Sequence, residues 1–204
     1  MLTYREEGHQ YFWNDNKVPG VNEILKEVGL IDFGMVSDQK LERACELGTN
    51  SHTATALEDI NDLDFDTLSP GLLPYVQAWC DFKADYKISF GKEQIEQKLY
   101  SKTWGFAGTL DRLPILIGGK MTLVDLKTCT SMQDYFRLTT AAYTILAEEN
   151  FLKMKIRQRW GVQLRPDGLY KIHVYNDPRD KQYFLSAKNI WIWKKNHNKL
   201  KEEM

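Results

Sequence analysis

Two aspartates and a lysine are the residues of this sequence most able to do chemistry together. Asp111 follows Gly108-Thr109-Leu110 and Asp125 follows Thr122-Leu123-Val124, so two carboxylates end neighbouring apolar strands fourteen residues apart, and a hairpin between them would bring them together. Two converging carboxylates make a hard, oxygen-rich site for a small divalent cation, which retains waters that it can activate. Lys127 lies two residues after Asp125, and strand alternation sends both side chains to one face. An ammonium there can position or help deprotonate an attacking water, or offset charge that develops on a phosphate. Asp-x-Lys is common by chance, mostly as surface ion pairs. This one stands out because it terminates an apolar strand and runs on into Thr128.

The surrounding sequence predicts the elements that must hold these residues. Tyr11 to Gly20 reads as a small hairpin around Asn14-Asp15, and Val21 to Val28 as a short helix stopped by Gly29. Residues 38–60 carry Leu41, Ala44, Cys45, Leu47, Ala54 and Leu57 at helical spacing, so one long helix or two in succession are expected there. The acidic run Glu58 to Asp66 reads as a solvated loop, and Pro74 can start a helix through about Tyr86. The period then changes to two. Ile95–Tyr100, Phe106–Leu110, Leu113–Ile117 and Met121–Leu126 are expected strands, with Gly118-Gly119 a tight turn between the last two. A helix over 133–149, strands over 157–165 and 169–175 around Pro166-Asp167-Gly168, and a helical tail over 178–200 complete the order. In the tail, Trp191 and Trp193 are expected inside, and Lys194, Lys195, Lys199 and Lys201 outside. No repeat and no long linker divides the chain, so one α/β domain is expected over 1–204: hairpin and helix to 35, core over 36–175, terminal helix over 176–204.

Composition narrows the setting. At 204 residues, 43% hydrophobic and 27% charged, the chain can build one sizeable core. No apolar run approaches a membrane span and the first residues do not resemble a signal peptide, which predicts an intracellular, cytoplasmic protein with no membrane partner. Three scattered cysteines encode neither a zinc ribbon nor a disulfide framework. The net charge of −1 conceals two unlike halves: residues 1–100 hold 9 Lys/Arg against 18 Asp/Glu, and residues 101–204 hold 18 against 10. The basic half suits a phosphate backbone, with Arg137, Lys153, Lys155, Arg157 and Arg159 as candidate contacts to it. Trp104, Phe106 and Tyr135 are candidates to stack on unpaired bases, against the commoner fate of core aromatics.

Gly105-Phe106-Ala107-Gly108-Thr109-Leu110-Asp111-Arg112 with Leu123-Val124-Asp125-Leu126-Lys127-Thr128 resembles the core of the PD-(D/E)XK nucleases, most closely the RecB-like branch of phage exonucleases, CRISPR-associated nucleases and the mitochondrial genome maintenance exonuclease. By motif the resemblance covers about residues 44–150. It implies a restriction-endonuclease-like fold, a central mixed sheet flanked by helices. It also implies a metal ligand in His52, the histidine of Gly48-x-x-x-His52, and another in an acid on the strand before Asp111, for which Glu96 competes with Glu93. The branch has Gln-x-x-x-Tyr on the helix after the lysine strand; here Tyr143 is present but Thr139 replaces the glutamine. Tyr143 is thus either a hydrogen-bond donor at the site or a core aromatic.

The resemblance implies hydrolysis of phosphodiester bonds from DNA ends in recombination, replication or repair. One or two Mg²⁺ or Mn²⁺ ions would be held by His52, Asp111, Asp125, the Leu126 carbonyl and, less directly, Glu96, with Lys127 at the attacking water. Some relatives carry an iron–sulfur cluster on four cysteines, and three cannot supply it. An endonuclease with the same site, and a silent DNA-end or partner-binding module of the same fold, are the alternatives. A recombination or replication partner protein and assembly with further copies of the chain stay open.

Overall fold

The computed structural model describes residues 1–34 and 36–202, with side chains as far as His197, so Lys199 and Lys201 lie outside the described side chains. The chain opens with a three-stranded antiparallel sheet, β1 (Leu2–Arg5), β2 (Gln10–Trp13) and β3 (Asn16–Val18), followed by α1 (Val21–Glu27). The helices α2 (Asp38–Asp59) and α3 (Leu73–Tyr86) come next, then the antiparallel pair β4 (Ile95–Ser101) and β5 (Phe106–Arg112). The strands β6 (Ile115–Ile117) and β7 (Lys120–Lys127), α4 (Phe136–Asn150), β8 (Gln158–Leu164), β9 (Tyr170–Val174) and α5 (Asp180–Glu202) follow. This is the mixed α/β class that the change of period predicts.

The strands β6-β7-β8-β9 form one mixed sheet, with β7 and β8 parallel and the outer pairs antiparallel. A parallel pair needs a crossover, which α4 supplies. The strand β7 is apolar on both faces, and its alternation divides the core. Leu123 packs with Val21, Phe106, Leu110, Leu146 and Phe184, from α1, β5, α4 and α5. Val124 and Leu126 pack instead with Trp79 and Phe82 of α3 and with Trp160 and Val162. Each such fully buried side chain contributes about 1.5–3 kcal/mol, which locks the face that every residue of β7 presents. Asp125 and Lys127 share the Leu123 face, the one under α4.

The structure departs from the expected elements at four places. β1 was not anticipated; it gives the Asn14-Asp15 hairpin a third strand, without which a hairpin is marginal in water. The acidic run begins inside α2, and Asp59 is buried rather than solvated. Trp193 is 58% exposed, whereas Trp191 is half-buried. Finally, the Gly118-Gly119 turn joins β6 to β7 as expected, with φ of +55° and +77°, but β5 pairs with β4 and, among the described residues, shares no backbone ladder with β7. Asp111 and Asp125 are therefore not hairpin neighbours, and something other than a ladder must join their strands.

Candidate metal centre

A side chain makes that join. The Leu126 N–H of β7 donates to Asp111 Oδ2 at 2.7 Å, so the carboxylate of β5 stands where a neighbouring strand's carbonyl would be. One residue either side of Leu126, Asp125 and Lys127 meet as alternation requires: Lys127 Nζ is 2.6 Å from Asp125 Oδ2 and donates to the Leu126 carbonyl at 2.9 Å. The Asp125 contact is an ion pair off the hydrogen-bond direction, and both Asp125 oxygens are buried without a hydrogen-bond partner among the described groups.

Asp111 faces Glu96 across the β4–β5 pair, between the partners Ile95–Arg112 and Gln97–Leu110. Glu96 has φ of +49°, a left-handed conformation that costs a non-glycine residue about 1–3 kcal/mol and recurs at functional sites. Its Oε1 lies 3.5 Å from His52 Nδ1, which is also 3.5 Å from Asp111 Oδ1. Gly48 and His52, one turn apart on α2, share a helix face: a Cβ at 48 would meet Thr128 Oγ1 at 3.8 Å, and His52 reaches the acids. His52, Glu96 and Asp111 offer one ligand atom each, all within 4.8 Å of one another. The structure thus selects Glu96 over Glu93, which is exposed on a 3₁₀ turn.

Arg112 is a residue that the sequence reading passed over. It is fully buried, and it donates to the Asp111 carbonyl at 2.7 Å and to Thr55 Oγ1 at 3.2 Å, pairs with Asp59 at 2.5 Å, and lies 4.0 Å from Glu96 Oε1. Asp59 also accepts from Trp79 Nε1 at 2.9 Å and pairs with Lys83 at 2.7 Å. This network ties α2 and α3 to the end of β5 and so sets His52 against Asp111. The available signal was an arginine in an apolar strand directly after the acid; its partner lies 53 residues away and is invisible locally.

The two aspartates are driven apart electrostatically. Burial opposes ionisation of Asp111, but His52, Lys127, the Leu126 amide and Arg112 outweigh it and hold its carboxyl below the ordinary range. Burial, reinforced by the Asp111 charge, pushes Asp125 up to about 6 in spite of Lys127. Burial disfavours the charge on Lys127 too, yet Asp125 and Asp111 raise it well above its usual range, so it keeps its proton. In His52, burial is outweighed by Asp111 and Glu96, and the imidazole is raised. Glu96 Oε1, buried with no hydrogen-bond partner, forms with the His52 nitrogen and an Asp111 oxygen a donor set that fits a divalent cation, while Asp125 lies outside that set with its Oδ2 paired to Lys127.

No protein-family model matches the sequence, and no curated protein matches it. Solved structures similar to it include SSO0001, with a TM-score of 0.39 and 14% identity over 59% of this chain and 57% of that one. Another is a protein from Eubacterium rectale provisionally named an exonuclease, with a TM-score of 0.36 and 15% identity over 66% of this chain and 69% of that one. The chain thus spans little more than half the length of the first.

The remaining predicted residues divide. Tyr143 is buried and its ring packs on Gly108, where a Cβ would come within 3.0 Å of Tyr143 Cε1 and of Leu146 Cδ1; burial, then the Asp125 and Asp111 charges, keep its hydroxyl protonated. Tyr135 is half-buried beside Lys127, Trp104 is exposed in the β4–β5 turn, and Phe106 is core, edge-on to Phe184, so it cannot stack on a base. Arg159 is a correction: it is buried, paired with Asp180 at 2.6 Å and bonded to two carbonyls, and has no contact left for DNA. Lys153, Lys155 and Arg157 are exposed, but Arg157 is level with Met121, roughly 20 Å along β7 from Lys127 at the usual rise per residue. Arg137 is exposed in the first turn of α4, with its guanidinium 6.0 Å from the Tyr175 ring. No helix among the described residues is long and apolar enough to cross a membrane.

Proposed function

We propose that this chain is a metal-dependent deoxyribonuclease that hydrolyses phosphodiester bonds from DNA ends. The observation that carries the reading is the convergence of His52, Glu96 and Asp111 beside Asp125 and Lys127, with carboxylate oxygens left unpartnered in a buried setting. His52, Glu96 and Asp111 would hold a Mg²⁺ or Mn²⁺ ion, with Asp125 and the Leu126 carbonyl as adjoining oxygens. Such an ion supplies charge to a phosphoryl oxygen and makes water acidic enough to attack phosphorus. Lys127, held protonated, acts as a cation: it orients the scissile phosphate and offsets the charge of the transition state. Arg112 holds the β5 end in place, Tyr143 presents a neutral hydroxyl donor, and Arg137, exposed on α4 beside Tyr175, offers a contact for the DNA backbone.

The test uses end-labelled linear DNA and closed circular DNA, each with Mg²⁺, Mn²⁺ or EDTA. Linear DNA is expected to be degraded only with a divalent ion while circles survive, and Asp125→Ala and Lys127→Met are each expected to lose at least about a hundredfold in rate. Cut circles would make the enzyme an endonuclease. Inertness on every DNA, or full activity in Asp125→Ala, would refute the proposal.

A further inference from the structure

A cavity of about 180 Å³ opens directly beside Lys127, between α1, the segment that follows it, and the start of α4. Its walls are aromatic at Phe33, Tyr135 and Phe136 and polar at Asn22 and Thr139. Phe33 is partly exposed at the rim, whereas Thr139 is buried at 2% exposure and Phe136 at 6%. Tyr143 reaches the same cavity, so a residue that feels the charge of both aspartates also lines this space.

We infer that this cavity is a slot for one unpaired nucleobase, the base of the nucleotide adjoining the scissile phosphate. The inference rests on the nuclease reading and names the form of DNA that the site takes. Three observations carry it. Position is the first: Lys127 is both a wall of the cavity and the partner of Asp125, so an occupant lies within one nucleotide of a phosphate placed at that centre. Size is the second. A cavity of about 150 Å³ accommodates one benzene-sized ring, so 180 Å³ takes a single base and excludes a base pair. Lining is the third. Aromatic faces stack on any base regardless of sequence, while the Asn22 amide can both donate to and accept from a base edge, and the Thr139 hydroxyl, which donates to the Tyr135 carbonyl at 3.3 Å, can accept from one. A strand must therefore be single or frayed at its end to place its phosphate beside Lys127. The short side chain of Thr139 keeps the slot open; a longer amide at that position would occupy part of it.

The experiment uses the full chain carrying Asp125→Asn, which permits binding without turnover, and single-stranded oligonucleotides with the fluorescent base 2-aminopurine at successive positions from either end. Stacking in the slot is expected to quench one position far more than its neighbours. Phe33→Ala, at a partly exposed rim residue, and Tyr135→Ala are expected to abolish that quench and weaken binding roughly tenfold. With the unsubstituted Asp125, the same two variants are expected to raise KM more than they lower kcat on single strands, and blunt duplex ends are expected to be cut more slowly than frayed ones. Equal quenching at all positions, or a quench unchanged in both variants, would overturn the slot even where DNA is cleaved. A localised quench in a protein that cleaves no DNA would instead support the slot and overturn the nuclease reading.

Discussion

At the scale of single residues, the centre is defined by charges that the fold holds in opposed states. Asp125 sits at about 6, above its ordinary 3.8, and His52 is raised above 6.5, so without divalent ions both hold protons more tightly folded than unfolded. Their stabilising contribution is fully present below the ordinary values and is lost as pH rises through the folded ones. Asp111 is lowered and works in the opposite sense, its contribution vanishing only in acid. In EDTA, Tm is therefore expected to be highest near pH 4, to fall between about pH 4 and 6 as Asp125 ionises and to fall again above pH 6.5 as His52 loses its proton, by roughly 2–4 °C for each kcal/mol lost. Saturating Mg²⁺ should remove most of that fall, because a bound cation favours the ionised carboxylates. A metal-free Tm that rises over this range would refute the opposed-charge account. Burial and the other acid, not Asp-x-Lys as a tripeptide, make the difference: the same three residues on an exposed strand would be an ordinary ion pair.

At the scale of elements, the site depends on β5 meeting β7 and on α4 lying close above both. The Asp111 bond to the Leu126 amide makes the first contact, and Gly108 permits the second, since a Cβ there would fall 3.0 Å from both Leu146 and Tyr143 and 3.2 Å from Val21. All three belong to packed helix faces, so they cannot yield cheaply. Gly108→Val is expected to destabilise the fold by about 1–3 kcal/mol through overpacking and, by lifting α4, to weaken cleavage as well. Unfolding in urea beside the cleavage assay reads both; an unchanged midpoint with normal cleavage would show that α4 does not need this closeness.

At the scale of the whole molecule, the uneven charge of the two halves matters less than where the fold puts it. Of the five basic residues singled out in the second half, Arg137 is exposed on α4 beside Tyr175, Arg159 is used inside the core, and Arg157 stands level with Met121, far along β7 from Lys127, with Lys153 and Lys155 in the segment just before it. Arg137→Ala is expected to weaken DNA binding and reduce the slope of log affinity against log salt by about one, with Tm unchanged. The triple change Lys153→Ala, Lys155→Ala, Arg157→Ala should leave that slope nearly intact. Arg159→Ala is expected to lower stability by about 3–5 kcal/mol, because Asp180 would remain buried without its partner. Salt-dependent binding titrations with thermal melts separate the three, and a large slope change in the triple variant would move the DNA track to the far end of the sheet.

What the sequence determined alone was everything that depends on spacing within one element. Period two along 120–127 was enough to put Asp125 and Lys127 on one face, and period 3.6 placed Gly48 with His52 and Thr139 with Tyr143, because backbone geometry alone relates residues of one strand or helix. Tertiary structure decided what depends on elements meeting. It chose Glu96 over Glu93 and set it at φ of +49°, joined Arg112 to Asp59 across 53 residues, drew Arg159 inward, and shaped the cavity from α1 and α4. None of these follows from local spacing, since each rests on the packing of side chains that lie far apart in the chain and on which charges that packing removes from water.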